Sequence, residues 1–399
     1  MRSLLFRDIR VTDCDGTRAC DVLVKDGVIA ACGVDLGPAD RIIKAKRRAL
    51  LPAFVDLHAH FRDPGLTCKE DLDSGSRAAA HGGYTYVNLM ANTKPVCSSA
   101  AAAREVRERA AALGLCDVHQ VVSVTRGFDG STLAHLEELD GGVRWLSDDG
   151  VGIQDTGVML RAMEAARQKG VGVMLHEEDS ALTKVDPYLM EELMTFRDVA
   201  LARLTGCKTH FCHVSTEKAM AYILEGKRDC AHITCEVTPH HLALSDETPG
   251  KVAPPLRGEA HRLFLVDCVK KGLVDAIATD HAPHTAQDKL EGANGFTGLD
   301  LAFATCYTTL VRGGHIPLAQ LSRLMSRNPA KLMGLADRGR VCPGAPAHLV
   351  LADLDSSFVV DESCIHSRGK NTPLKGRTLY GEILMTLKEG TIVYEKTAD

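Results

Sequence analysis

The sequence predicts an α/β protein: a (β/α)8 barrel of the TIM type with a small β-sandwich domain formed from both chain ends. Three observations carry that prediction. The middle of the chain alternates eight short apolar runs with amphipathic helical stretches, a number and a span that suit eight β/α units. Both ends carry short β-type segments without a convincing helix. The titratable residues of the middle gather at the C-terminal ends of the predicted strands, the face on which such a barrel places its chemistry. A doubly wound open sheet is the second arrangement compatible with the same alternation.

In chain order, residues 1–50 contribute β-type runs such as DVLVKDGVIAACG, with Asp26-Gly27 as a hairpin turn signal. Residues 51–339 are expected to form the barrel. Its strands are read as FVDLHAH, YTYVNLM, DVHQVVSV, GVRWLSDD, GVGVMLHEE, THFCHVS, HITCEVTPHH and DAIATDHAP. Helical stretches between them include AAAAREVRERAAALG, GVMLRAMEAARQKG, LMEELMTFRDVALARLTG, TEKAMAYILEG and AHRLFLVDCVKKG. Residues 340–399 return to β-type runs, AHLVLADLD, SFVVD and GEILMTLKEGTIVYE, the last turning at Glu389-Gly390. The two ends then form one domain, with the barrel inserted between them.

Composition narrows the function classes. The 47 basic and 52 acidic residues leave a net charge of −5 and no extended Lys/Arg tract, so neither nucleic acid nor an anionic membrane surface is expected as a partner. The densest basic run, Arg41 to Arg48, reads as a solvated turn or an edge strand. Fourteen cysteines are scattered without a CxxC pair, as expected of reduced thiols in a cytoplasmic protein. The first residues carry a charge at Arg7 and lack the apolar stretch of a signal peptide. No window approaches the roughly 18 apolar residues of a membrane span.

The stretch LPAFVDLHAHFRDPG, Leu51 to Gly65, puts a polar face on an apolar strand. Alternation places Asp56, His58, His60 and Arg62 on one side and Leu57, Ala59 and Phe61 on the other. Asp149, His176, His213 and Asp280 end other predicted strands, and together these residues offer the imidazole and carboxylate donors that suit zinc or a neighbouring divalent ion. Four imidazoles and two carboxylates exceed the needs of one tetrahedral ion. Two ions about 3.5–4 Å apart would use all six, with Asp149 as the bridging carboxylate and Asp148 as a turn or cap residue. His240 and His241 read as supporting or loop-packing residues.

These residues belong to a longer series: Asp56-Leu-His58-Ala-His60-Phe-Arg62-Asp-Pro-Gly, Asn92-Thr-Lys-Pro95, Ser-Asp-Asp149-Gly, Cys-His213-Val-Ser-Thr, Glu-Val-Thr-Pro-His-His241, Pro-Pro-Leu-Arg-Gly and Ala-Thr-Asp280-His-Ala-Pro-His284. The series, with the late GKNTP, resembles the class I dihydroorotases of the amidohydrolase superfamily over nearly the whole chain. The resemblance implies a zinc-dependent cyclic amide hydrolase holding one or two Zn2+ per subunit. By the same resemblance His58 and His60 are ligands of the first metal, His176 and His213 of the second, and Asp149 bridges them. Asp280 binds the first metal and acts as general acid and base. No lysine stands at the end of the fourth strand, so a carboxylated lysine is not expected.

The substrate implied is (S)-dihydroorotate, a small molecule hydrolysed reversibly to N-carbamoyl-L-aspartate in pyrimidine synthesis. His60, Arg62, Asn92, His284, Asn294 and Gly295 are the substrate-binding residues by this resemblance, Arg62, Asn92 and His284 cradling the α-carboxylate. Three departures stand out. Ala253 occupies the position before Pro-Pro-Leu-Arg-Gly where relatives carry Asn, the loop ANGFTG is shorter than theirs, and so is the segment from Glu177 to Thr205. A related hydantoinase or allantoinase is the alternative enzyme, and a catalytically silent scaffold for aspartate transcarbamoylase is the non-enzymatic one. A homo-oligomer and an aspartate transcarbamoylase partner are the associations the resemblance suggests.

Overall fold

The computed structural model describes residues 3–45 and 48–397. Every one of the eight apolar runs of the middle carries a strand, and all are parallel to their neighbours. Phe54–Ala59, Tyr84–Leu89 and Asp117–Gln120 make one arc. Trp145–Leu146, Gly172–Leu175, Thr209–Phe211, Ile233–Val237 and Ala276–Ile277 make a second. The expected single eight-stranded ladder is therefore divided in two, with isolated parallel bridges Val122–Leu146 and Ala59–His281 at the seams.

Both seams have the same chemical cause. At one, the Asp148 carboxylate accepts the amides of Val124 and Thr125 at 2.7 and 3.1 Å. At the other, Asp56 accepts the amide and hydroxyl of Thr279 at 2.8 and 2.6 Å. A side-chain carboxylate thus stands in for the ladder carbonyl, which satisfies the buried amides while ending the regular pairing. One bridge residue, Leu146, belongs to Trp145–Leu146 and another, His281, follows Ala276–Ile277; these two strands are the shortest of the eight.

Helices follow the strands because the sequence caps them. Asp71, Ser99, Asp155, Asp186 and Thr216 each accept a backbone amide at the start of Leu72–His81, Ala100–Leu113, Thr156–Lys169, Pro187–Thr205 and Glu217–Asp229. Each such cap contributes about 1 kcal/mol. Glu259–Lys270 completes the stretches anticipated above. One apolar cluster lies between strands and helices, including Phe54, Ala59, Phe61, Val87 and Phe211, and another includes Val55, Leu57, Tyr86, Met174 and Ala278. Leu57 and Ala59 thus pack in different clusters, contrary to strict alternation, because the register slips between Asp56 and Ala59.

Strands from both chain ends share one hydrogen-bonded sheet of eight, in the order Thr391–Glu395, Thr378–Lys388, Leu349–Val359, Ala49–Pro52, Ser3–Asp13, Gly16–Lys25, Val28–Gly33, with Arg41–Lys44 also on Ser3–Asp13. The sheet branches at Ser3–Asp13, which pairs with three other strands. Ser3–Asp13 carries a bulge between Phe6 and Ile9, with Asp8 at φ 56°, and pairs with Arg41–Lys44 before it and Ala49–Pro52 after it. The Asp26-Gly27 and Glu389-Gly390 turns have positive φ at both residues, the I′-like geometry that hairpins favour. They also meet: a Cβ on Gly27 would lie 3.2 Å from the Glu389 carbonyl oxygen.

The basic run is an edge strand over Arg41–Lys44; Lys46 and Arg47 lie outside the described residues. Its charge is partly answered by Arg41 pairing with Glu395 and Arg48 with Asp353. No helix among the described residues is long and apolar enough to cross a membrane.

Candidate active site

The C-terminal ends of the strands close around a cavity of about 260 Å3. Its lining includes His60, Arg62, Asn92, Asp149, His176 and His213, joined by Asp280, His284, Asn294, Gly295 and Ala253. Every substrate-binding and metal-binding residue anticipated from the sequence except His58 therefore reaches this one space, and His58 lies against it, fully buried.

At the floor, two groups of donor atoms share Asp149: His58, His60 and Asp149 form one, Asp149, His176 and His213 the other. His58 Nε2 lies 3.2 Å from Asp149 Oδ1 and 3.6 Å from Asp280 Oδ1. His60 Nε2 lies 3.1 Å from Asp280 Oδ1 and 3.5 Å from Asp149 Oδ2. His176 Nδ1 and His213 Nε2 approach Asp149 Oδ1 to 3.4 and 3.6 Å and each other to 2.9 Å.

These residues fit metal ions. His58 Nε2 and Asp149 Oδ1 are buried without a hydrogen-bond partner although they are close together. Each such orphan costs about 1–3 kcal/mol, which a shared cation would remove. Burial alone would raise the Asp149 carboxyl, but the charge of His58 and the nearby His176 and His213 imidazoles hold it well below the usual carboxylate range. Asp280 is held low in the same manner, with burial opposed by the His60 hydrogen bond and the charge of His58.

Second partners orient these candidate ligands. His58 Nδ1 faces Glu236 Oε1 at 3.1 Å, and Glu236 Oε2 faces His210 Nε2 at 3.0 Å. Burial raises the Glu236 carboxyl, yet these two imidazoles bring it down to about 2, so it stays ionised. Glu236, rather than Asp56 on the same strand as His58, thus supports the His58 ring. Asp56 instead holds the Thr279 segment and the His58 amide at 3.4 Å. The signal available for Glu236 was an acid inside the apolar run HITCEV, directly before a strand end. His176 Nε2 is fixed by Glu178 at 2.9 Å, and His60 Nδ1 by the Asn92 side-chain oxygen at 2.8 Å.

The wall of the cavity is made of loops. Arg62 is buried with φ 59°; its Nη2 lies 3.4 Å from His284 Nε2 and its Nε has no hydrogen-bond partner. His284 Nε2 also faces the Asn294 carbonyl at 2.8 Å, so this ring braces the Asn294-Gly295 loop as well as facing the cavity. Burial, Arg62 and Lys69 lower His284 to about 4 and keep it neutral. Asn371, from GKNTP, accepts the His284 amide at 2.9 Å and donates to the Ala282 and Gly295 carbonyls at 3.2 and 3.1 Å. Lys69 and Asn371 are contributors to which the sequence reading assigned no role. His241 packs a loop, facing Thr238 and the Pro254 carbonyl, and the His240 ring lies tilted against it.

A parallel β/α scaffold with imidazoles and carboxylates converging at its strand ends defines a class of hydrolases, and the chain belongs to the amidohydrolase family, whose model matches residues 49–393. Within it, the chain is similar over its length to proteins named dihydroorotase. One from Clostridium botulinum is 46% identical over 397 residues, covering 98% of this chain and 100% of the relative. One from Anaeromyxobacter dehalogenans is 40% identical over 413 residues, covering 96% and 94%. Among solved structures, the L-hydantoinase (dihydropyrimidinase) from Arthrobacter aurescens superposes with a TM-score of 0.88 at 26% identity, covering 100% of this chain and 97% of that one.

Proposed function

We propose that this chain is a dihydroorotase, which interconverts (S)-dihydroorotate and N-carbamoyl-L-aspartate by hydrolysing a cyclic amide in pyrimidine synthesis. The observation that carries the choice of substrate is Arg62, a buried guanidinium in the cavity wall with an unpartnered Nε. A substrate carboxylate arriving there gains a charge-assisted, potentially bidentate pair, which an uncharged ring cannot offer.

In this reading the two arcs form one closed (β/α)8 barrel over residues 51–339, and residues 1–50 with 340–399 form the second domain. His58, His60, Asp149 and Asp280 would hold one zinc ion and Asp149, His176 and His213 a second, the nitrogen and oxygen donors that zinc accepts. When bound, such ions acidify water and polarise the amide carbonyl. Asp280, kept ionised in its buried setting, accepts a proton from the attacking water and returns it to the departing ring nitrogen. Arg62 and the Asn92 amide hold the carboxylate while the Asn294-Gly295 loop, braced by His284 and Asn371, bounds the ring. The fourteen unpaired cysteines suit a reducing compartment, the cytoplasm.

Purified protein supplied with zinc should form N-carbamoyl-L-aspartate from dihydroorotate and the reverse. Folded, zinc-containing protein that does neither would refute the proposal. A hydantoinase-type activity is the second reading, favoured by Ala253, whose methyl group lines the cavity where an amide side chain is expected in dihydroorotases. Turnover of hydantoin or allantoin without turnover of dihydroorotate would select it.

A further inference from the structure

We propose that His81, Asp300 and His366 form a second metal site, separate from the cavity, for a divalent transition-metal ion of the zinc class. The three residues come from different segments: the last residue of the helix Leu72–His81, the short turn Leu299–Leu301, and the loop after the turn Glu362–Cys364. Their donor atoms all lie within 4.8 Å of one another.

The geometry is that of a ligand set. His81 Nδ1 lies 2.9 Å and His366 Nδ1 3.5 Å from the same oxygen, Asp300 Oδ1. Tetrahedral zinc with Zn–N and Zn–O bonds of about 2.0–2.2 Å separates its ligand atoms by roughly 3.3 Å, a value these two distances bracket. Asp300 is fully buried, and the amides of His366 and Ser367 fix its carboxylate at 2.8 and 3.3 Å. Oδ1 therefore already has an amide donor, and two further N–H groups aimed at the same atom would crowd it. Two deprotonated Nδ1 atoms sharing a cation with it do not.

The imidazoles are held in place before any ion arrives. Their ring centroids are 4.0 Å apart at a tilt of 31°, and the edge of Tyr394 packs against both, at 4.9 and 5.9 Å. A cavity of about 370 Å3 opens beside them, lined also by Cys364, Glu382 and Tyr394, with room for water or a fourth donor. Two nitrogens and one carboxylate with an open position suit zinc, iron or manganese rather than calcium or magnesium. Bound there, the ion ties the helix Leu72–His81 to the turn Leu299–Leu301 and the loop 365–368. Ser367 of that loop donates to Glu70, and Glu70 faces His281 Nε2 at 3.2 Å, next to Asp280.

Zinc alone is the probe. Wild-type protein, His81→Ala and His366→Ala are equilibrated with the same buffered micromolar zinc, and metal per chain is measured by mass spectrometry, with circular dichroism as the folding control. All the cavity ligands are present in every sample, so their zinc is common to the three and the comparison does not depend on any catalytic activity. Each variant is expected to carry one zinc fewer per chain than wild type and to lose the part of the zinc-dependent rise in Tm that this site supplies. Equal zinc content in wild type and variants would overturn the proposal. Should His81→Ala fail to fold, His366→Ala decides alone, because His366 lies in a loop with its side chain partly exposed.

Discussion

The floor of the cavity and its wall are built in different ways. The floor is made of strand-end residues, His58, Asp149, His176, His213 and Asp280, whose positions follow from the parallel sheet and whose rings are locked by neighbours such as Glu236 and Glu178. The wall is made of loop residues, Arg62, Asn92, His284, Asn294 and Gly295, held by backbone bonds through Asn371 and by a left-handed turn at Arg62. In the proposed mechanism the chemistry belongs to the floor and the choice of ring to the wall. Sites that keep their chemistry on rigid elements can change substrate by altering loops alone.

That division can be broken in graded steps. Asp280→Asn removes the proposed proton acceptor and should lower kcat by about 10²- to 10⁴-fold at an unchanged circular dichroism spectrum, the range expected of a general acid–base group. A rate near wild type would take Asp280 out of the reaction. Arg62→Met should cost about 10- to 100-fold in kcat/KM for dihydroorotate, equivalent to losing a hydrogen bond to a charged group. The loss should appear in KM more than in kcat; a pure kcat effect would move Arg62 from wall to floor.

Glu236→Gln tests the floor's scaffolding. It should weaken metal binding or activity by about 10-fold, near the lower end for a residue that orients a metal-bound imidazole, and zinc titration should show it directly. Unchanged zinc affinity and rate would leave His58 oriented by something else. The smallest effect belongs to Ala253→Asn, which restores one neutral hydrogen bond worth about 0.5–1.5 kcal/mol. It should raise kcat/KM for dihydroorotate by roughly two- to tenfold, and a fall would show that the shorter ANGFTG loop has already filled that space.

Much of this organisation was legible in the sequence, for physical reasons. The eight apolar runs and the helix caps are local signals, and the histidines and aspartates stand at strand ends where periodicity alone places them. What escaped was set by distant neighbours. Glu236 reaches His58 across 178 residues and Asp56 reaches Thr279 across 223, pairings that no local pattern encodes. The division of the ladder into two arcs has the same origin, because Asp148 and Asp56 bind amides on adjacent strands. The hairpins at Asp26-Gly27 and Glu389-Gly390 were visible as turn chemistry, whereas the fork at Asp8 had no comparable cue.

The most direct test of the division between floor and wall is substrate partition in zinc-loaded protein: kcat/KM for dihydroorotate against hydantoin, for wild type and Arg62→Met. The account predicts that wild type prefers dihydroorotate and that the substitution collapses this preference while leaving the slower hydantoin rate nearly unchanged. A wild-type preference for hydantoin, or an Arg62→Met variant that loses both rates equally, would contradict it.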